Sequence, residues 1–176
     1  MSYQFKNVSV LVVESSEQMF HLTRDVLSTF GVGQVTPAYD IHKGFDIFCK
    51  MKPDFIMIDW LKDTENGLDL TRRIRTDARS PNPFVPIVMM TGFSQKKRVL
   101  MARDSGISEF LVKPYNVNTL YQKLEYLVEK PRMFVNAETY FGPDRRRGIR
   151  NDGYAGPERR ADDKPLIKAT ANRKHA

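Results

Sequence analysis

Short apolar runs alternate with helix-periodic stretches along the first 130 residues. The runs are Val8–Val13, Gln34–Ala38, Phe55–Ile58, Ile87–Met90 and Glu109–Val112. Most are apolar at consecutive positions, as strands covered on both faces of a parallel sheet should be. Between them, a 3.6-residue period predicts helices over about Glu17–Phe30, Ile41–Met51, Gly67–Thr76, Gln95–Ser105 and Val117–Glu129. Ser16 and Asp40 stand at N-cap positions, Gly31 lies just past the first helix, and Pro53 follows the second. Five strand–helix units joined by right-handed crossovers predict a doubly wound α/β domain.

In such a sheet, ligands bind beyond the carboxyl ends of the strands. Glu14 and Ser15 follow the first run, Asp59 the third, Thr91 the fourth and Lys113 the fifth. Two carboxylates, a hydroxyl and an amine on one sheet edge suit phosphoryl transfer to a carboxylate beside a hard divalent cation. Glu14 and Asp59 offer oxygen ligands to Mg²⁺, which needs only one or two protein carboxylates. Asp59 is the candidate nucleophile, and Lys113 would offset charge on the phosphoryl oxygens. Thr91 would donate a hydrogen bond to the same group. Singly, each of these residues reads as an ordinary polar loop position. Their joint spacing carries the claim.

The motifs VLVVES at Val10–Ser15, FIMIDW at Phe55–Trp60, NGLDL at Asn66–Leu70, PIVMMTG at Pro86–Gly92 and EFLVKPY at Glu109–Tyr115 sharpen it. Through them, roughly Asn7–Lys130 resembles the CheY-like receiver domains of bacterial two-component response regulators. The resemblance implies a flavodoxin-like five-stranded sheet of order 2-1-3-4-5, with a cis bond between Lys113 and Pro114. It implies that Asp59 accepts phosphate from a histidine kinase or phosphotransfer protein, with Mg²⁺ held by Glu14, Asp59 and the backbone carbonyl of Leu61. It makes Thr91 the switch hydroxyl, Lys113 its charged partner and Phe110 the aromatic that turns inward. Chemistry would be limited to self-catalysed phosphotransfer to Asp59 and its hydrolysis. Two positions depart from the family pattern. Ser15 stands where a second acidic residue is usual, which should weaken Mg²⁺ binding, and Phe110 lacks a tyrosine hydroxyl.

Composition adds a second region. The 176 residues are 41% hydrophobic, enough for a core, and 28 Lys and Arg against 21 Asp and Glu give a net charge of +7. A lone Cys49 excludes an internal disulfide framework. Apolar strings fall far short of the roughly 20 residues that span a bilayer, and no signal-peptide pattern opens the chain, so a soluble cytoplasmic protein is expected. His21, His42 and His175 are too scattered to suggest a metal site. Arg72, Arg73 and Arg75, like Lys96, Lys97 and Arg98, give basic helix faces or starts, read first as solvated faces and second as a docking surface. Residues 137–176 carry a net +4 and 7 of the 15 arginines, so nearly a quarter of the chain holds more than half of the charge. Glycines and prolines interrupt that segment. The expected division is a receiver over residues 1–130 and an arginine-rich extension over 131–176, disordered or ordered by a ligand.

The extension repeats itself. Tyr140–Arg146 (YFGPDRR) and Tyr154–Arg160 (YAGPERR) share the pattern Tyr-x-Gly-Pro-acid-Arg-Arg, 14 residues apart. All basic residues within the two copies are arginine, which grips phosphate or a guanine edge with a planar fork. Gly-Pro sets a turn before the arginines, and tyrosine offers a stacking surface. Paired copies suit a two-fold ligand such as cyclic di-GMP, with Tyr140, Asp144, Arg145, Arg146, Arg147, Tyr154, Glu158, Arg159 and Arg160 as candidate contacts. Arg159-Arg-Ala-Asp162 also reads as an RxxD pattern. The extension resembles that of CheY-like proteins that bind cyclic di-GMP and act at the flagellar motor. A solvated tail, or one contacting a protein, nucleic acid or anionic membrane, is the alternative. Three function classes follow: a phosphorylation-driven receiver that docks on a downstream protein, a nucleotide-responsive adaptor, and a DNA-binding regulator. The last ranks lowest, because no helix-turn-helix module follows the receiver.

Overall fold

A computed structural model of the protein describes residues 5–60, 66–92 and 94–144, together with the strand at 166–168. Five strands, β1 (Ser9–Val13), β2 (Gln34–Ala38), β3 (Phe55–Asp59), β4 (Ile87–Thr91) and β5 (Glu109–Val112), form one parallel sheet of order β2-β1-β3-β4-β5. Helices α1 (Glu17–Thr29), α2 (Ile41–Met51), α3 (Asn66–Thr76), α4 (Lys96–Asp104) and α5 (Val117–Glu129) alternate with them. This is the doubly wound arrangement expected from the alternating pattern.

Consecutive apolar residues in the strands are explained by two separate cores. Leu11, Val13, Ile56, Ile58, Ile87 and Met89 face one side, with Phe45, Phe48, Leu70 and Ile74 from α2 and α3. Val10, Val12, Phe55, Met57, Val88 and Met90 face the other, with Phe20 and Leu27 of α1 and Leu120, Leu124 and Leu127 of α5. Because strand side chains alternate faces, a strand between two helical layers must be apolar at every position.

Local signals fix the helix starts. Ser16 Oγ accepts from Met19 N–H at 3.3 Å, and Asp40 Oδ1 accepts from Lys43 N–H at 2.8 Å. Asn116 caps α5 in the same way, accepting from Thr119 N–H at 2.7 Å. Gly31 takes the left-handed φ of 76° just past α1.

Regular structure continues past Lys130. Strands β6 (Met133–Ala137), β7 (Tyr140–Pro143) and β8 (Leu166–Lys168) form an antiparallel sheet of order β7-β6-β8. The sequence suggests a tail without a core, and this first part borrows one. Phe134 is buried against Phe84, which precedes β4, and Phe141 of β7, with ring centroids 5.0, 5.3 and 5.7 Å apart around the trio. The expectation for Arg75 is corrected with it. Instead of lying on a solvated face, its guanidinium is buried beneath the new sheet, donating to the carbonyls of Gly106, Pro83 and Val85.

Candidate functional site

Parallel alignment brings the carboxyl ends of β1, β3, β4 and β5 to one edge, where Glu14, Asp59, Thr91 and Lys113 gather. Glu14 is buried, and its Oε1 accepts from Ser16 N–H at 3.0 Å. Lys113 Nζ donates to Glu14 Oε2 and to Asp59 Oδ1, both at 2.8 Å. Desolvation alone would lower the lysine pKa, but its hydrogen bonds to Asp59 and Glu14 outweigh burial and raise it above the ordinary value. The lysine is therefore cationic at neutral pH, a counter-charge for the two carboxylates it bonds.

Thr91 ends β4 fully buried, and its carbonyl accepts from Lys113 N–H at 2.7 Å. That bond ties the two strand ends, so the hydroxyl residue and the lysine are held in one register. The Lys113–Pro114 bond is cis. Phe110 pairs in register with Met89 and is half-buried against the first core. Trp60, the single tryptophan, is buried directly after Asp59, with the Arg98 guanidinium 5.4 Å above its ring. Ser15 is exposed and adds no carboxylate.

Sequence reasoning overlooked one support of the site. Gly67, in the first turn of α3, packs under the backbone of Asp59 so closely that a Cβ there would lie 2.6 Å from the Asp59 carbonyl oxygen. The signal was the glycine within Asn66–Leu70.

The donor set fits a hard cation. Glu14 Oε2 and Asp59 Oδ1 converge on a single nitrogen, and both are anionic oxygens of the kind Mg²⁺ takes. Among the described residues, no cluster of three or more His, Cys, Asp or Glu side chains joins them. The third expected ligand, the Leu61 carbonyl, lies outside the described residues.

Of the extension's candidate contacts, Tyr140 opens β7 and its hydroxyl donates to the Pro143 carbonyl at 2.8 Å. Asp144 follows the strand, its N–H donating to Met133 O at 2.7 Å. Arg145, Arg146, Arg147, Tyr154, Glu158, Arg159 and Arg160 lie outside the described residues. The structure does not bring Tyr140 and Asp144 to the acidic site. Their hairpin covers the amino ends of β4 and β5, the opposite end of the sheet.

Comparison with known proteins agrees with this geometry. The response regulator receiver domain family matches residues 10–125, and the chain belongs to that family. Chemotaxis protein CheY-3 of Vibrio cholerae is 26% identical over 125 residues, covering 71% of this chain and 95% of that protein. Chemotaxis protein CheY1 of Helicobacter pylori is 29% identical over 122 residues, covering 69% of this chain and 97% of its own. A response regulator structure from Chloroflexus aurantiacus superposes with a TM-score of 0.62 at 21% identity, over 70% of this chain and 98% of that one, a likeness of fold. The protein is thus a receiver-domain response regulator of two-component signalling, with residues 126–176 beyond the matched region. No helix among the described residues is long and apolar enough to cross a membrane.

Proposed function

We propose that the protein is a single-receiver response regulator of the chemotaxis type, switched by phosphorylation of Asp59. The observation that carries this reading is the shared ammonium of Lys113, which holds Asp59 and Glu14 together at a strand-end site. An Asp59 carboxylate oxygen attacks the phosphorus of a phosphohistidine on a kinase or phosphotransfer protein. The P–N bond breaks as the P–O bond forms, and the imidazole leaves neutral after taking up a proton. Lys113 then shifts its contact toward the phosphoryl oxygens, and Thr91 donates to the same group. Glu14 and Asp59 would hold Mg²⁺, which supplies further positive charge on the phosphoryl oxygens.

Phe110 on β5 connects the site to its output. Thr91 and Phe110 lie on adjacent strands, so movement of the threonine opens or closes space for the ring. Nearby, Leu100 of α4, Val112 of β5 and Val117 and Tyr126 of α5 are exposed apolar side chains on the elements that follow. This face suits a downstream protein, with the flagellar motor switch as the partner the chemotaxis relatives suggest. Trp60 provides the test. Titration with Mg²⁺ and then acetyl phosphate should change its fluorescence in wild type, and Asp59→Asn should lose the acetyl phosphate response. An equal response in both proteins contradicts the reading.

A second reading concerns the extension. Its first repeat starts on β7, a strand docked on the receiver, so the arginines after Asp144 follow directly from an anchored element. That anchoring favours a defined ligand, cyclic di-GMP, over a loose polyanion tether. Calorimetric titration of the full chain with cyclic di-GMP tests it. Arg146→Ala with Arg147→Ala should abolish binding, whereas Lys164→Ala with Lys168→Ala should leave it. Equal losses favour the alternative, an ordinary phospho-switched adaptor with a charged extension.

A further inference from the structure

The receiver's α4–β5 turn is gripped from two sides. On one side, Arg75 of α3 donates from Nε to the Gly106 carbonyl at 2.9 Å. On the other, the β6–β7 hairpin presses on the same residue. A Cβ built on Gly106 would lie 3.1 Å from the Phe141 carbonyl oxygen, and one built on Gly142 would lie 2.9 Å from Gly106 Cα. Gly106 also has a φ of 98°, a backbone state that glycine alone adopts readily. Two residues on, the Ser108 carbonyl accepts from Arg132 Nη1 at 3.0 Å. Arg132 donates through Nη2 to the Asp144 carbonyl, the last described residue before the arginine-rich segment. Ser108 in turn exchanges backbone and side-chain bonds with Ile87 of β4, and Glu109 then begins β5.

The hairpin's seat is unusual in its charge. Arg75 is buried, its Nη2 has no hydrogen-bond partner among the described residues, and its other nitrogens bond to carbonyls instead of a carboxylate. Burial lowers its pKa to about 9, with the Tyr140 phenol opposing the shift. The Phe134 ring lies 5.1 Å from the guanidinium carbon and covers it. Burying an incompletely satisfied cation opposes the aromatic contacts that seat the hairpin. Lifting the hairpin would hydrate Arg75 and expose Phe84 and Phe134, two terms of opposite sign. Phe84, Phe134 and Phe141 belong to neither core of the main sheet, so lifting the hairpin would leave both cores packed.

From these contacts we infer that the β6–β7 hairpin is a clamp on the α4–β5 turn. It links the extension after Asp144 to β5, the strand that carries Phe110 and leads to Lys113. The receiver surface around Arg75, Phe84, Gly106 and Ser108 is the docking site for this chain's own C-terminal hairpin. Coupling through it runs both ways: a force on the segment after Asp144 reaches Ser108 through Arg132, and displacement of β5 reaches the hairpin through Gly106. The clamp stands whether or not Asp59 accepts a phosphoryl group.

Hydrogen exchange by mass spectrometry on the full chain tests the clamp. Gly142→Ala places a methyl against Tyr140 and Gly106 without altering a receiver residue. Peptides covering 133–143 and 105–110 should both exchange at least tenfold faster, while β1 and β3 keep wild-type protection. Faster exchange in the hairpin with residues 105–110 unchanged would overturn the clamp, as would no change in either. Arg132→Ala, which removes only the bonds to Ser108 and Asp144, must give the same paired acceleration. If Gly142→Ala loses protection throughout the chain, the Arg132→Ala result decides by the same criterion.

Discussion

Lys113 Nζ lies 2.8 Å from Asp59 Oδ1 and at the same distance from Glu14 Oε2, so one ammonium holds two carboxylates from different strands. The pairing ties the end of β1 to the end of β3 through the residue that follows β5. If Asp59 accepts phosphate as proposed, Lys113→Ala removes the cation that would offset charge on the phosphoryl group. Labelling of Asp59 by acetyl phosphate should slow on the order of 10²-fold, the usual cost of removing one preorganised charge-stabilising group. Mg²⁺ affinity, followed by Trp60 fluorescence, should not fall, because both carboxylates remain. A parallel loss of metal binding would show that the lysine organises the whole site.

Ser15 is where an added carboxylate tests the proposed Mg²⁺ site. It is exposed next to Glu14, where a carboxylate would face the same edge. Ser15→Asp should tighten Mg²⁺ binding about tenfold, equivalent to about 1.4 kcal/mol of added attraction in a partly solvated site. Fluorescence titration of the two proteins provides the comparison, and an unchanged affinity would place the cation away from this loop.

Gly67 offers a purely steric probe. Its missing Cβ leaves room for the Asp59 carbonyl oxygen, which a methyl would approach to 2.6 Å. Gly67→Ala must push α3 off β3, with an expected cost of about 1–3 kcal/mol for overpacking. Urea unfolding should show the loss, together with slower Asp59 labelling. Full stability would mean that α3 sits farther from the strand.

Strands β1, β3 and β4 were legible because both of their faces are packed. Val10–Val13 and Ile56–Ile58 are apolar without interruption, which distinguishes a covered parallel sheet from a half-exposed one. The acidic site was legible for a related reason: parallel strands deliver their last residues to one edge, so Glu14, Asp59, Thr91 and Lys113 could be collected by position alone. The extension's structure was not legible. Met133–Ala137 is as long as β1 but buries only Phe134, which packs on Phe84, far away in sequence, so no local run of core residues announces the strand. Arg75 departs from the usual solvent-reaching helical arginine because its guanidinium turns onto the carbonyls of Gly106, Pro83 and Val85 and is covered by Phe134. Asn116 went unremarked as a cap, although its side chain does for α5 what Ser16 and Asp40 do for α1 and α2.

Asp77 gives the fold an acid-sensitive tie after α3. Its carboxyl is held well below the ordinary carboxylate range, first by the Arg79 side chain, then by the Arg79 backbone N–H and Arg73. A carboxylate with a depressed folded pKa stabilises the fold above its unfolded pKa and loses that contribution as pH falls through the folded value. Asp77→Asn should therefore be less stable than wild type by a constant margin above about pH 5, and the margin should shrink below about pH 4. Thermal melts across that range check the sign. A margin that widens on acidification would contradict it.

Switching as proposed requires Asp59 to be the phosphoacceptor of a working receiver. Intact-mass analysis after incubation with acetyl phosphate and Mg²⁺ tests it most directly, with Asp59→Asn alongside. One phosphoryl group should appear on wild type, depend on Mg²⁺, and be absent from Asp59→Asn. An unlabelled wild type, under conditions that label a standard receiver, or equal labelling of Asp59→Asn, would contradict the account.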